Sequence, residues 1–164
     1  MSDINSDMLF DNWDISHFCT KRLKNRVGKP RNIMHYDLLF AIADEKSKAA
    51  LENRFSDCIQ FLDAVNDDAP SEKYYFLNPF RSVEGLDLNK SECSFIPDSR
   101  IPSSIYKYVF RTDVEYYPIF KLKHEGNVHS MRMYVTDEFK DFIESNGITG
   151  LVFEEIFDFE NLKD

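Results

Sequence analysis

No apolar run in this chain is longer than the six residues from Leu38 to Ala43. That ceiling excludes a helix that crosses a bilayer, which needs roughly 20 consecutive apolar residues. The chain offers instead a succession of short aromatic and β-branched runs divided by Gly, Pro, Asn and Asp. DLLFAIA, DCIQFLDAV, KYYFLNPF, IYKYVFR, YPIFKLK and SMRMYV each have the length and composition of a strand. In YPIFKLK, Phe120 and Leu122 alternate with Lys121 and Lys123, the period of a half-buried strand. Pro79 either ends KYYFLNPF or confines it to a sheet edge, because proline cannot donate to a ladder. Gly126 and Asn127 mark a hairpin turn before SMRMYV. Residues 1–35 show no clear period, and LKNRVGKPRN has the Gly and Pro of a loop.

Two helical stretches interrupt this pattern. Asp44 offers a capping oxygen to EKSKAALEN, and Thr136 stands in the same position before DEFKDFIES. Sliding the chain along itself by 92 residues superposes them: Asp44 falls on Thr136, Leu51 on Ile143, Ile59 on Leu151 and Phe61 on Phe153. Each copy reads strand, cap, short helix, break, strand, with Ala50/Leu51 and Phe142/Ile143 turned toward a sheet. In the second copy the break is NGITG. Gly147 lies where a helix ends in a left-handed residue, and Gly150 permits close backbone approach as the next strand begins. The expected fold is α+β, strand-rich, with a mainly antiparallel sheet and two or three short helices. At 164 residues and 43% hydrophobic content the chain suits a single domain over residues 1–164, with an N-terminal arm at 1–35 and a core at 36–157.

Charge narrows the function. With 29 acidic against 20 basic residues the formal net charge is −9, which opposes direct nucleic-acid binding and favours a basic partner. Six cations between Lys21 and Arg31 run against this average; the remainder carries −15 (14 bases minus 29 acids). The segment reads as a solvated loop around Gly28 and Pro30, or as half of a charge-steered interface. Glu154, Glu155, Asp158, Glu160 and Asp164 crowd the C-terminus, and Asp67, Asp68 and Glu72 surround Pro70. Such clusters are solvated faces by default; they also suit an acidic rim that docks a basic protein. Catalysis by Glu154 or Glu155 would require a carboxylate held in a pocket with a shifted pKa.

Other chemistry finds little support. His124 and His129 are the only near pair of histidines, and a spacing of five fits neither a helical nor a strand face. Cys19, Cys58 and Cys93 form no CxxC pair and read as reduced thiols, Cys58 in the core. Neither a GxSxG, HExxH, P-loop nor GxGxxG pattern occurs. No catalytic residue, cofactor or metal is assigned. The start MSDINSDMLFDNWD lacks the basic and apolar regions of a signal peptide, so a cytoplasmic protein without membrane partners is expected. Trp13 and the doublets Tyr74/Tyr75 and Tyr116/Tyr117 default to core packing. A homodimer through an unpaired strand edge is compatible with the residues.

The order of elements from KAALENRFSDCIQFLDAV through KYYFLNPFRSVEGLDLNKSE to YPIFKLK and VTDEFKDFIESNGITGLVFEEI resembles a bacterial polymorphic-toxin immunity family, the eleventh of its series and formerly a domain of unknown function. That family shows an aromatic strand ending in Leu-Asn, here Leu77 and Asn78, then a Val-x-x-Leu-Asp segment with a following Ser. The latter corresponds to Val83, Leu86, Asp87 and Ser91. A capped helix from Thr136 then leads into Gly150, Leu151 and Phe153. The resemblance covers about residues 36–157 and makes Gly150 to Phe153 the closing strand; Asn78 and Asp87 are expected to bond turns. It implies a non-enzymatic protein that neutralises one cognate toxin domain. The acidic balance makes a basic nuclease the leading partner, with Glu154, Glu155, Asp158, Glu160, Asp67 and Asp68 as its contacts. The alternatives are a small hydrolase using the C-terminal carboxylates, or a regulatory protein-binding adaptor.

Overall fold

The computed structural model describes residues 16–18, 31–36, 40–99 and 101–157. Strand β1 (Ser16–Phe18) precedes β2 (Ile33–Tyr36) and β3 (Phe40–Asp44), which runs directly into helix α1 (Glu45–Phe55). The helix starts where expected because the Asp44 carboxylate accepts the Ser47 N–H at 2.7 Å, satisfying one of the first turn's free donors. Its other oxygen accepts Asn32 Nδ2 at 2.8 Å, which ties the start of α1 to the residue that precedes β2. Strands β4 (Ile59–Asn66) and β5 (Tyr74–Pro79) follow, and the five form one sheet in the order β1-β4-β5-β3-β2. All pairings in it are antiparallel except β1 against β4.

Alternation sorts this sheet's side chains between two cores. Ile33, Ala41, Ala43, Ile59 and Leu77 point to one face, where they meet Leu51 and Phe55 of α1. Ile42, Leu62, Ala64 and Phe76 are buried on the other. Met34, Ile42, Phe76 and Leu62 are consecutive register partners across β2, β3, β5 and β4, and so make a single apolar row.

After β6 (Ser82–Val83) come β7 (Glu92–Phe95), β8 (Pro102–Lys107), β9 (Ile119–His124), β10 (Asn127–Val135) and helix α2 (Asp137–Ser145). A three-stranded sheet has the order β10-β9-β6, and among the described residues β7 pairs only with β8. Strand β9 serves two cores: Ile119 joins the first, while Phe120 and Leu122 pack with Val83, Phe110 and Tyr134 in a third cluster. Helix α2 adds Phe139 and Ile143 to the first core. Phe55 is the meeting point of the helices, with ring centroids 5.2 Å from Phe139 and 5.1 Å from Phe142. The expected α+β, strand-rich fold is therefore observed, with two helices among the described residues.

Several expectations change in detail. Strand β2 lies where the sequence shows no period. Pro79 ends β5 rather than placing it at an edge, since β5 is the central strand. The β9–β10 turn is one residue earlier than read: Glu125 (φ 47°) and Gly126 (φ 79°) are its left-handed pair, and Asn127 already belongs to β10. Thr136 caps α2 by position, but its side chain makes no capping bond; its backbone oxygen accepts from Phe139 and Lys140. Residues 151–157 form no ladder, so the anticipated closing strand is a side-chain-anchored segment. The internal repeat consequently holds through cap and helix and stops there.

Gly147 (φ 62°) and Gly150 (φ 114°) both have the left-handed backbone expected of them. At Gly150 the approach is tight: a Cβ would lie 1.8 Å from the Ile33 carbonyl oxygen. Gly150→Ala is therefore expected to destabilise the fold by about 2 kcal/mol or more, combining a strained φ with a backbone clash. Gly147→Ala meets no atoms within 4 Å and bears only the φ penalty, about 1 kcal/mol. Denaturant unfolding of the two variants checks that order.

Candidate functional site

Helix α2 sets the position of the C-terminal acids. It stops where Gly147 N donates to Glu144 O at 3.1 Å and Ile148 N to Ile143 O at 3.0 Å. The chain is then tied to the start of β2. Ile33 N donates to Thr149 O at 2.9 Å, Thr149 N donates to Asn32 Oδ1 at 3.1 Å, and Thr149 Oγ1 donates to the same oxygen at 3.0 Å. Beyond Gly150, Leu151 and Phe153 pack on the first core, and Phe157 reaches the third cluster. The side chains between these anchors face outward: Val152, Glu154, Glu155 and Ile156 are all exposed.

This segment is one wall of a groove of about 850 Å³, lined also by Ile119, Tyr134 and Phe139 and by the cations Arg132 and Lys140. Arg132 Nη1 donates to Tyr108 Oη at 2.9 Å. Among the described residues, no hydrogen bond or ion pair reaches Glu154 or Glu155. Asp67 and Asp68 are exposed on the β4–β5 connection, shaped by the buried Asn66, whose Oδ1 accepts the Asp68 N–H at 3.1 Å. The two acid pairs occupy separate connections. Asp158 and Glu160 lie outside the described residues, as do positions 21–30 of the basic segment; Arg31 is exposed.

Nucleophilic chemistry is poorly served. Burial, reinforced by the neighbouring Asp57, pushes the Cys58 thiol up to about 12, and burial also raises Cys93. Both thiols therefore stay protonated at neutral pH, and the thiolate is the reactive form. Burial raises Tyr116 to about 12 and carries Tyr134 higher still. Among the described residues no group of three His, Cys, Asp or Glu side chains converges. His124 ends β9 opposite Asn127, and His129 stands opposite Leu122 in the same ladder.

Asp87 does bond a turn, its Oδ1 accepting the Asn89 N–H at 3.1 Å. Asn78 does not. Its Nδ2 donates to Gln60 Oε1 at 3.2 Å inside the five-stranded sheet, while its Oδ1 accepts from Lys121 Nζ at 3.3 Å. Lys121 thus links the two larger sheets, and its ammonium is paired with an amide oxygen instead of a carboxylate. Burial lowers its pKa from the usual lysine value.

The sequence also gave no warning of an exposed apolar surface. Among the described residues the exposed large hydrophobics are Phe95, Ile96 and Tyr106 on the β7–β8 hairpin and Val152 and Ile156 on the C-terminal segment. Pro97 and Pro102 mark the hairpin's tip in the sequence, yet side-chain exposure depends on how the two strands register.

Against known proteins, the chain matches the model of an immunity protein family (Imm11) over residues 16–158. The match begins before the expected core and takes in the basic segment 21–31, which the resemblance left out. No curated protein matches the chain.

Lys121 provides a test of this geometry. Its folded pKa is depressed, so between that value and 10.5 the unfolded chain holds a proton that the native chain has released. Native stability therefore gains from this group as pH rises through that window. Lys121→Met should remove this contribution from the pH dependence of unfolding. At neutral pH it should leave stability within about 1–2 kcal/mol of the parent, because relief of a desolvated charge offsets the cost of leaving the buried Asn78 oxygen without this donor. Paired denaturant titrations from pH 7 upward measure both effects.

Proposed function

Because the chain belongs to the Imm11 immunity protein family, we propose that it neutralises one cognate bacterial toxin domain by binding it in the cytoplasm and covering its active site. The protein acts as a single domain and performs no catalysis. The family match carries this reading. The acidic surface supports a finer one, in which the partner is a basic domain such as a nuclease, and Glu154, Glu155, Asp158, Glu160, Asp67 and Asp68 supply the complementary field.

Two observations support the acidic contact. The net charge of −9 favours encounter with a cation-rich surface. Glu154 and Glu155 are exposed and bonded to no described residue, so a partner's Lys or Arg would meet carboxylates with no internal pairing to break. The hydrolase alternative needs one of these acids engaged with a partner group in a pocket; both line the groove that also holds Arg132 and Lys140, yet both are exposed and bond to neither cation. No helix among the described residues is long and apolar enough to cross a membrane.

The direct experiment expresses the toxin domain from the adjacent reading frame in bacteria, with and without this chain, and scores survival and copurification. Rescue with a stable complex is the expected result. Glu154→Lys combined with Glu155→Lys should slow association about tenfold at low salt, with the difference shrinking as salt screens it. The melting temperature should hold, since both side chains are exposed. Unchanged association kinetics would remove these two acids from the interface.

A further inference from the structure

Five large hydrophobic side chains are exposed among the described residues, and they fall on only two stretches of chain. Phe95 (44% exposed), Ile96 (46%) and Tyr106 (73%) lie on the β7–β8 hairpin, with Val152 (89%) and Ile156 (36%) on the C-terminal segment. Each stretch is anchored on the third hydrophobic cluster. Phe110, just beyond β8, bridges to Leu86 and meets Phe157 of the C-terminal segment in a tilted ring contact at 5.5 Å centroid distance. Ile105 of the hairpin packs in the same cluster.

The hairpin is built to present side chains. Its β8 strand carries two extra residues: Glu92 pairs with Lys107 but Cys93 with Ile105, and Ser94 pairs with Ser104 but Phe95 with Pro102. The residues passed over are Tyr106 and Ser103. Bulges re-aim side chains and break the regular edge that another strand would need. Here both bulged residues turn to one place: Ser94 Oγ and Ser103 Oγ are 2.9 Å apart, and Tyr106 Oη donates to Ser94 Oγ at 3.4 Å. The tip is fixed by Ile96 N donating to Ile101 O at 3.0 Å, and by Ile101 N donating to Ser99 Oγ at 2.9 Å. The base is held by Ser91, whose Oγ accepts the Val109 N–H at 3.0 Å and donates to Val109 O at 3.3 Å.

We infer that this bulged hairpin, together with Val152 of the C-terminal segment, is the apolar heart of the toxin-binding surface, with Phe95, Ile96 and Tyr106 as its anchors. The inference rests on the function proposed above and names the contact that function needs. Exposed tyrosine and serine on a fixed loop are suited to protein recognition, because the ring gives large contact area at small entropic cost and the hydroxyls adapt. The acidic contribution comes from the C-terminal segment, where Glu154 and Glu155 lie between Val152 and Ile156, and from a chain of net charge −9; on the hairpin Asp98 flanks the tip, while Glu92 pairs with Lys107 at 3.9 Å. The occupant is therefore a toxin surface with an apolar centre inside a basic rim. A second copy of this chain, equally acidic, would bring like charges together, and the bulged β8 edge is a poor template for strand pairing.

The test uses the full chain and the toxin domain from the adjacent reading frame. Tyr106→Ala, and separately Phe95→Ser with Ile96→Ser, should each weaken the complex by about 30-fold or more, as central anchors do. Their circular dichroism and melting temperatures should match the parent, because these side chains are exposed. If the parent binds and both variants bind equally well, the hairpin is not the contact and the immunity reading survives. If the parent neither binds nor protects, that reading fails and this inference falls with it. Sedimentation of the chain alone gives a third outcome: a parent dimer that both variants dissolve, with toxin affinity unchanged, would assign the surface to self-association and overturn the proposal.

Discussion

Phe55 sits at the end of α1 with 1% of its surface exposed, and both helices are positioned through it. Its ring meets Phe139 and Phe142, from successive turns of α2, while its own helix is seated by Leu51 against the five-stranded sheet. A phenylalanine buried in this way is typically worth about 3–5 kcal/mol against alanine, a large share of a small protein's total stability. The Arg54–Glu138 pair beside it, at 2.7 Å but exposed on both sides, adds far less. Packing thus locates α2, the end of α2 locates Gly147 and Gly150, and those glycines aim the segment bearing Glu154 and Glu155. The acidic surface is placed by an aromatic contact on the far side of a helix.

Much of this arrangement was legible because it depends on local chemistry. Asp44 caps α1, Gly147 ends α2, and Gly150 touches a neighbouring backbone, each for a reason visible in the residue type. Alternation in β9 separated Phe120 and Leu122 from Lys121 and Lys123. What escaped depends on distant partners. IMHY became β2 because FAIA runs antiparallel beside it and Thr149 bonds its first amide. The internal repeat and the family resemblance suggested a strand at Gly150 to Phe153, but the segment is held by side chains entering two cores rather than by ladder bonds. Lys121 has the sequence context of an outward lysine, and only the approach of the second sheet brings Asn78 to it. At the candidate site the acids could be named from composition. The exposed faces of the hairpin could not, because two bulges decide which β8 side chains turn outward.

The Gln60, Asn78 and Lys121 chain shows how the two larger sheets meet without a wholly apolar contact. Within the buried amide pair Asn78 donates to Gln60, and the lysine donates to the Asn78 oxygen. Such groups are costly when left unpaired. Sliding one sheet against the other would separate Lys121 from Asn78, so the pairing favours one relative position. Ile119 on the same strand reinforces it by filling the first core.

The bonds between Asn32 and Thr149 join residues 117 positions apart. Contacts of such long range slow folding, because the loop between them must be closed before the contact can form. On the ribosome, the first amide of β2 waits for Thr149 to emerge before the α2 side of the core can close. A chain truncated ahead of Thr149 would therefore leave apolar strand surface uncovered for chaperones and proteases to find.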